Sequence, residues 1–412
     1  MSDLSANKPE PSDYASLLFE SGKFDEAKKV LMECIQGDPY NYQALILLGK
    51  INLFCNNFTE AEEYLTLANE LRMEEVEPKQ LLAELFYRQD RFQDAATFYQ
   101  KLGKEKKSER FWSFKDNKPY TIECTQEITS IKMIKTDPLP VIQVKINSNE
   151  TVNLLIDTGA AEIIIDKEYA NEIGLEIFGS DMGTFAGGKK AEITFSKIDS
   201  IAFAGLKISH VPVTILPTRA FSQIFGGLRI DGIIGTVLFY HFITTMDYIN
   251  GELIFRIKSE ENLRAFEQEI KELKPIENPF WMAGDHFMVA WGSLNQSEPV
   301  LLFVDTGLAG GGFTGAKSTI EKAGIELDEE KAISVMGGGG TLKAIPFVVD
   351  ELALGDTVEK NIRGFFSGQF VIENMLGFKI GGILSHGFFR KYSLTFDFID
   401  MKIILVKKTE KK

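Results

Sequence analysis

The tripeptide Asp-Thr-Gly occurs twice in this 412-residue chain, as Asp157–Gly159 and as Asp305–Gly307. Each copy follows a short apolar run, Val152–Ile156 in the first case and Val300–Val304 in the second. Runs of this length are typical of buried β-strands. Identical tripeptides in matching contexts predict a duplicated β unit, each half of which presents one aspartate at the end of a strand.

The segments downstream of the two tripeptides also match. The apolar element Gly232–Gly235 begins 75 residues after the first aspartate, and the element Gly382–Ser385 begins 77 residues after the second. Each element is followed by a predicted short helix and then by predicted strands. We therefore predict two related lobes, one at residues 136–265 and the other at residues 266–412.

The pair of aspartates indicates a particular chemistry. Two carboxyl groups about 3 Å apart cannot both ionise readily, so they share one proton. The ionised member can take a proton from water, while the protonated member polarises a carbonyl oxygen. If the lobes face each other, Asp157 and Asp305 form a site for hydrolysis that needs no cofactor.

A repeat with a 34-residue period precedes the β-rich region. Phe24, Phe58 and Phe92 have this spacing, and so do the alanines three residues after each of them. The pattern resembles the tetratricopeptide repeat, in which a small residue lies where two helices cross. The resemblance implies about three repeats within residues 1–110 and a docking surface that recruits a protein substrate or another protein partner. A charged segment follows, and we predict a linker at residues 111–135 and an array that folds separately from the catalytic region.

The first Asp-Thr-Gly copy, together with Gly232–Gly235, resembles the retropepsin-like aspartic proteases, and two copies in one chain resemble the two-lobed pepsin arrangement. The fold implied is multidomain α + β: an α-helical repeat array followed by a mostly β, two-lobed aspartic-protease fold. The resemblance makes Asp157 and Asp305 the catalytic pair of an aspartic peptidase acting on peptides or proteins. The other residues that it assigns are the loop-supporting Thr158, Gly159, Thr306 and Gly307, and the candidate flap residues Gly187, Gly188, Gly338 and Gly339.

The second copy departs from the family pattern at two positions. Leu308 stands where a small residue follows the tripeptide, and Ser385 replaces the glycine of the apolar element. These changes leave open a catalytically degenerate scaffold that binds peptides without cleaving them. A site made by one lobe with the same lobe of another chain also stays open. The intact aspartates of both copies favour the peptidase.

The residues that follow the two tripeptides, Ala160 and Leu308, carry no hydroxyl group. In pepsin-like relatives a serine or threonine at this position donates a hydrogen bond to the outer carboxylate oxygen, which favours the ionised form. Loss of such a donor raises the pKa of a carboxyl group. We therefore expect maximal activity in mildly acidic to neutral solution.

Composition argues against several other functions. A net charge of −14 makes nucleic acid an unsuitable partner, and the four histidines are too scattered to predict a metal site. The dinucleotide-like Gly310–Gly315 is an isolated match, and the P-loop-like Gly183–Lys189 lacks the hydroxyl residue that binds magnesium, so we expect no cofactor. Neither a signal peptide nor a membrane-spanning segment is visible in the sequence, so we expect a cytoplasmic protein with no membrane partner. The three cysteines lack metal-ligand spacing, and we expect them to be reduced thiols.

Overall fold

A computed structural model describes residues 10–148, 150–184, 190–337 and 340–407. In these ranges the chain begins with seven helices: α1 (Pro11–Glu20), α2 (Phe24–Gly37), α3 (Tyr42–Phe54), α4 (Phe58–Leu71), α5 (Val76–Arg88), α6 (Phe92–Lys101) and α7 (Glu105–Trp112). None of the helices in the described ranges combines the length and apolar character needed to cross a membrane.

The 34-residue period corresponds to one pair of helices per repeat. Phe24, Phe58 and Phe92 are the first residues of α2, α4 and α6, and the alanines three positions later are fully buried. Most of the helices bury one face, but α3 buries ten of its 13 residues. A helix that is apolar on all sides must be covered on more than one side. The predicted helical array is confirmed, and α3 indicates that something besides the array covers it.

Strands make up most of the rest of the chain. The described strands are β1 (Thr121–Cys124), β2 (Ile128–Lys132), β3 (Val141–Ile146), β4 (Thr151–Ile156), β5 (Ile163–Asp166), β6 (Gly179–Thr184), β7 (Lys190–Phe203), β8 (Leu206–Leu216), β9 (Gly232–Ile234), β10 (Phe242–Asp247), β11 (Glu252–Ile257), β12 (Ile276–Pro279), β13 (Trp281–Ala283), β14 (Phe287–Leu294), β15 (Val300–Val304), β16 (Phe313–Gly315), β17 (Ile333–Gly337), β18 (Gly340–Leu354), β19 (Thr357–Phe366), β20 (Gly382–Leu384), β21 (Tyr392–Asp397) and β22 (Lys402–Lys407). Short helices lie between them: α8 (Lys167–Glu172), α9 (Thr236–Phe239), α10 (Glu260–Ile270), α11 (Lys317–Lys322) and α12 (His386–Phe389).

Two similar sheets of eight strands form the lobes, with the orders β1-β8-β5-β9-β4-β3-β7-β6 and β13-β14-β15-β20-β16-β19-β18-β17. In each sheet, the strand that leads to Asp-Thr-Gly pairs in parallel with the short strand of the downstream element, β4 with β9 and β15 with β20. The registers correspond, since Leu155 pairs with Ile233 and Phe303 pairs with Ile383. The predicted duplication of a mostly β, two-lobed fold is thereby confirmed.

A third sheet joins the two lobes. Its six strands run in the order β12-β22-β21-β10-β11-β2, and β10 of the first lobe pairs antiparallel with β21 of the second. Thr245 and Thr395 are paired across this junction, and their hydroxyl oxygens are 2.7 Å apart. Because backbone hydrogen bonds cross from one lobe to the other, the relative position of the lobes is fixed by the sheet and not by a flexible connection.

Residues 111–135, which we expected to form a linker, contain two strands of these sheets. The strand β1 pairs with β8 at the edge of the first sheet, and β2 pairs with β11 at the edge of the third. These edge strands have only four and five residues. The β region therefore starts at Thr121, before the predicted boundary at residue 136.

The helical array shares a hydrophobic core with the second lobe. The ring of Phe24 in α2 lies 5.4 Å from the ring of Trp281 and 5.0 Å from that of Phe378, both in edge-to-face geometry. These rings belong to one buried cluster that also contains residues of α1, α3 and β15. Contacts of this kind add to the free energy gained by burying the rings. The array is therefore packed against the second lobe, which covers part of α3, and does not stand apart from the β region.

The later part of the array contacts the first lobe. The carboxylate of Asp90 lies 3.0 Å from Nε2 of His241, and the ring of Tyr120 stacks on the same imidazole at 4.1 Å. Lys197 Nζ donates a hydrogen bond of 2.9 Å to the backbone carbonyl of Ser113. The helical array therefore contacts both lobes.

We predict that Phe378→Ala destabilises the array and the second lobe together. Phe378 is 2% exposed and packs against Phe19, Phe24 and Phe54 of the array. Loss of such a ring should lower the free energy of unfolding by about 3 to 5 kcal/mol. Thermal unfolding followed by helical circular dichroism and by tryptophan fluorescence should then show one common transition at a lower temperature than in the wild type.

The control for this prediction is Tyr40→Ala, since Tyr40 is 64% exposed. Its unfolding midpoint should stay close to the wild-type value, as is usual for surface positions. Two separate transitions, or a fall in the fluorescence midpoint without a fall in the helical midpoint, would show that the array and the lobe unfold independently.

Candidate active site

Each of the strands β4 and β15 leads to an aspartate whose backbone is fixed by the parallel strand beside it. The N–H of Asp157 donates to the carbonyl of Ile234, and the N–H of Asp305 donates to the carbonyl of Leu384, at 3.0 Å in both lobes. The equivalent strand pairing gives the two loops equivalent backbone anchors. The backbones of the two aspartates therefore occupy equivalent positions in their lobes.

Two threonines hold the loops together by reciprocal hydrogen bonds. Thr158 Oγ1 accepts a bond of 3.0 Å from the backbone N–H of Thr306, and Thr306 Oγ1 accepts a bond of 3.1 Å from the backbone N–H of Thr158. The Thr158 hydroxyl also donates to the carbonyl of Val304 at 3.1 Å. Both threonines are fully buried, so water does not compete for these bonds. The bonds fix the separation of the two loops.

Each carboxyl group lies against the tripeptide loop of the opposite lobe, Asp305 beside Gly159 and Asp157 beside Gly307. One oxygen of each also accepts a bond from the N–H two residues later, from Gly159 at 2.8 Å and from Gly307 at 2.7 Å. A Cβ atom on either glycine would overlap the aspartate of the opposite lobe, so only glycine permits this approach. All six residues of the two tripeptides thus meet within one chain.

The surroundings of the pair favour a shared proton. Burial raises the pKa of Asp157 well above its usual value, and the charge and side-chain hydrogen bond of Asp305 raise that pKa further, against a smaller opposing effect of the Gly159 N–H. Carboxyl groups coupled this strongly titrate as a unit. One proton is therefore held by the pair at pH values where an ordinary aspartate has lost its own.

The second lobe contains a buried histidine, His386, that carries no charge in neutral solution. Burial lowers the pKa of His386 to about 4, so the ring is neutral in neutral solution. Its Nε2 is 3.3 Å from Asp137, and its ring centre is 5.2 Å from that of Tyr248. Burial and the charge of Asp157 raise the pKa of Tyr248, which also stays neutral. His386 therefore supplies no positive charge that would favour ionisation of both aspartates in neutral solution.

The second lobe holds its loop differently from the first. In the first lobe, Gly235 lies so close to the carbonyl groups of residues 160–162 that a Cβ atom would overlap them. In the second lobe, Ser385 occupies the corresponding position and its Oγ accepts a bond of 3.0 Å from the Leu308 N–H. The Ser385 N–H in turn donates to the carbonyl of Gly312 at 2.9 Å. Hydrogen bonds from Ser385 therefore order a loop that its glycine content alone would leave flexible.

The candidate flap residues Gly187, Gly188, Gly338 and Gly339 lie outside the described residues. The hairpin strands that lead to them are described. Pairing of β6 with β7 continues to Thr184 and Lys190, and pairing of β17 with β18 continues to Gly337 and Gly340. Each lobe therefore carries one hairpin that leads to a pair of candidate flap glycines.

Sequence analysis missed Glu162, a buried residue five positions after Asp157. Its carboxylate is bonded to Tyr87 in α5 and to Arg110 in α7, which are 75 and 52 positions away along the chain. A single glutamate after the tripeptide carries no recognisable pattern. Only the folded arrangement shows that the array reaches the loop of the first lobe.

In the described part of the chain, no group of three or more histidine, cysteine, aspartate or glutamate residues is arranged to hold a metal ion. A cavity of about 540 Å³ lies at the edge of the first lobe and is lined in part by Cys124, Lys145 and Phe203. The aspartate pair does not line this cavity.

Comparison with known protein families agrees with this architecture. A family model described as aspartyl protease matches residues 142–238 and again residues 290–380, and each match contains one Asp-Thr-Gly. A model of the tetratricopeptide repeat matches residues 18–75. No curated protein matches the chain. The resemblance to both families that the sequence indicated is confirmed.

The raised pKa of Asp157 predicts a pH-dependent effect on stability. An acid whose pKa is higher in the folded state favours folding at low pH, and this contribution is lost as the pH rises through the folded pKa. The Asp157→Asn variant has no ionisable group at this position, so its stability does not fall with rising pH for this reason. We expect the variant to unfold about 2 °C or more above the wild type at pH 7, with a smaller gain near pH 4.

Asp356→Asn is the matched control, because Asp356 is exposed and distant in sequence from both tripeptides. Its effect on the unfolding temperature should be small at both pH values. An Asp157→Asn variant that is less stable than wild type at pH 7, or whose gain is larger at pH 4, would contradict the sign of the pKa shift.

Proposed function

We propose that this chain, which contains a duplicated aspartyl protease domain behind tetratricopeptide repeats, is an aspartic endopeptidase. The observation that carries the proposal is the close approach of Asp157 and Asp305 at the lobe boundary, where each packs against the Asp-Thr-Gly glycine of the other lobe of one chain. Because both acids are supplied internally, the proposed site needs no second copy of the chain. Its substrates are peptides or proteins that lie across the lobe boundary.

In the proposed mechanism a water molecule binds between the two carboxyl groups. The ionised aspartate takes a proton from the water, and the protonated aspartate donates its proton to the carbonyl oxygen of the peptide bond. The oxygen of the water forms a bond to the carbonyl carbon and gives a neutral gem-diol. The protonated aspartate then gives its proton to the amide nitrogen, while the ionised aspartate takes a proton from one hydroxyl of the gem-diol. The C–N bond breaks, a carboxylic acid and an amine form, and the pair is again singly protonated.

The rival proposal is a scaffold that binds peptides without cleaving them. The departures at Leu308 and Ser385 would favour it if they loosened the second loop. The bond from the Leu308 N–H to Ser385 Oγ supports an ordered loop instead. Reciprocal bonding by Thr158 and Thr306 also supports a rigid pair, so the peptidase is the better supported function.

The array has a second role in the proposal, the recruitment of a protein substrate or partner. The second lobe covers residues of α1, α2 and α3, so recruitment is confined to the remaining faces. Glu60, Glu63 and Glu70 are exposed on α4 and would favour a basic segment of the partner. A docked protein would have a raised effective concentration at the cleft.

We also propose that the enzyme acts in the cytoplasm. The three cysteines form no disulfide, and Cys124 is exposed as a free thiol. Free thiols of this kind are usual in reducing compartments.

Asp157→Asn and Asp305→Asn should each lower kcat by about 100-fold or more, because each variant lacks one of the two required protonation states. The amide is close in shape to the carboxyl group, so the fold should be retained. Cleavage of a broad peptide library, read by mass spectrometry, measures the effect for both variants and the wild type. Asp356→Asn is the control and should cleave at the wild-type rate.

Two results would contradict the peptidase. A variant of either aspartate that keeps near-wild-type rates would rule out the shared pair. A wild-type chain that binds library peptides but leaves all of them intact would favour the scaffold.

The pH optimum of cleavage should lie in mildly acidic to neutral solution. Burial and Asp305 raise the pKa of Asp157, and neither Ala160 nor Leu308 carries a hydroxyl that would favour the ionised form. The shared proton should therefore persist to a higher pH than in gastric enzymes. The measurement is kcat/KM against pH on one peptide. A maximum at about pH 2 to 3 with no activity at pH 6 would show that the pair titrates like that of pepsin.

A further inference from the structure

We infer that the helical array positions the catalytic loop of the first lobe, by holding the carboxylate of Glu162 with Tyr87 and Arg110. The inference rests on the proposed peptidase function, since it concerns the loop that carries Asp157. It assigns the array a role within the active site in addition to any recruitment of partners.

The contact is buried and charged. Glu162 is 5% exposed, and its Oε1 accepts a hydrogen bond of 2.6 Å from the Tyr87 hydroxyl. Its Oε2 is paired with the guanidinium of Arg110, which is 3% exposed. A carboxylate buried this deeply is strongly disfavoured without partners. The array provides both partners, so Glu162 is confined to one position.

The groups that hold Glu162 are themselves fixed by packing within the array and against the lobe. The ring of Tyr87 stacks on Phe92 at 5.7 Å and meets Phe111 edge-on at 5.5 Å. The guanidinium of Arg110 lies 4.5 Å from the ring centre of Phe195 in β7, a favourable cation–π contact. The clamp formed by Tyr87 and Arg110 therefore has little freedom to follow Glu162 if the loop moves.

Four residues separate Glu162 from Asp157, and the backbone carbonyl groups of three of them accept hydrogen bonds from the first lobe. The carbonyl of Ala160 accepts a bond of 2.9 Å from the Thr236 N–H, and the carbonyl of Ala161 accepts one of 2.8 Å from the Val237 N–H. The Thr236 hydroxyl donates to the carbonyl of Thr158 at 2.8 Å. A displacement of Glu162 would thus be transmitted along a short, rigid segment to Asp157.

Among the described residues, the second lobe has no counterpart of this clamp. Glu162 immediately precedes β5, and the residue that precedes β16 is Gly312. That loop is held by Ser385 of its own lobe. The Oγ of Ser385 accepts a hydrogen bond from the Leu308 N–H, and the Ser385 N–H donates one to the carbonyl of Gly312. The first lobe has Gly235 in place of the serine, and so lacks the internal bond. The array therefore adds an external contact at Glu162 to the bonds that the first loop receives from Thr236 and Val237 of its own lobe.

The experiment combines steady-state kinetics with hydrogen–deuterium exchange of the full chain. Tyr87→Phe removes one hydroxyl, Glu162→Gln removes the charge, and Arg110→Met removes the paired cation. We expect kcat to fall by about ten-fold to a hundred-fold with KM changed little, since small displacements of a reacting group have effects of this size. Amide exchange of residues 157–162 should become faster, while that of residues 305–312 should not.

Matched variants separate positioning from general damage to the array. Tyr64→Phe and Arg91→Met alter array residues whose described hydrogen bonds and ion pairs are to other array residues, among them Met32, Glu62 and Asp94, and they should leave kcat and loop exchange unchanged. Arg110→Lys keeps the cation and should recover most of the kcat lost in Arg110→Met. Tyr87→Phe combined with Glu162→Gln should be less damaging than the product of the two single effects, because both act through one carboxylate.

The outcomes distinguish this inference from the proposed function. If the wild type cleaves peptides and the three variants keep its kcat and its loop exchange, the clamp does not position the loop and the inference is overturned. If the wild type cleaves no peptide, the proposed function fails, and unchanged exchange in Tyr87→Phe would overturn the clamp separately. Should Arg110→Met or Glu162→Gln fail to fold, Tyr87→Phe decides, because it deletes a single oxygen atom.

Discussion

The reciprocal hydrogen bonds between Thr158 and Thr306 are the constraint on which the site depends. They fix two backbone loops from different lobes at a separation that leaves no room for a side chain at Gly159 or Gly307. At that separation the two carboxyl groups must share a proton. The interlobe pairing of β10 with β21 supports the same geometry, because it prevents the lobes from sliding past each other.

The array is part of this constraint. In many repeat proteins the stacked helices leave a surface free for partners, but here the second lobe covers part of it. The same array reaches Glu162 beside the catalytic loop of the first lobe. It therefore contacts the two lobes on either side of the aspartate pair. Helical repeats of this kind can stabilise a cleft between two lobes as well as recruit a protein to it.

Much of this architecture could be predicted from the sequence, because duplication and periodicity are local patterns repeated at fixed distances. The two Asp-Thr-Gly copies and the 34-residue spacing of Phe24, Phe58 and Phe92 each appear without knowledge of the fold. The contact between the array and the lobes could not be predicted in the same way. The one sequence signal of this contact is that α3 is apolar on all sides. This signal does not show which part of the chain covers the helix.

The candidate site was predictable to a similar extent. The sequence indicates the two aspartates, but it suggests a loose second loop because Ser385 replaces a glycine. The hydroxyl of Ser385 instead forms a bond to Leu308, which depends on a loop path that no residue pattern encodes. Glu162 and its partners in the array are separated by more than 50 residues, so only folding brings them together. The short strands β1 and β2 were missed because each pairs at the edge of a sheet.

The central claim is that Asp157 and Asp305 share one proton within a single chain. The most direct test is a pH titration of the wild type with ¹³C-labelled aspartate carboxyl groups, observed by NMR and assigned with the two Asp→Asn variants. We expect two coupled resonances, one of which titrates well above the ordinary aspartate pKa of about 4. Two resonances that titrate independently near that ordinary value would contradict it.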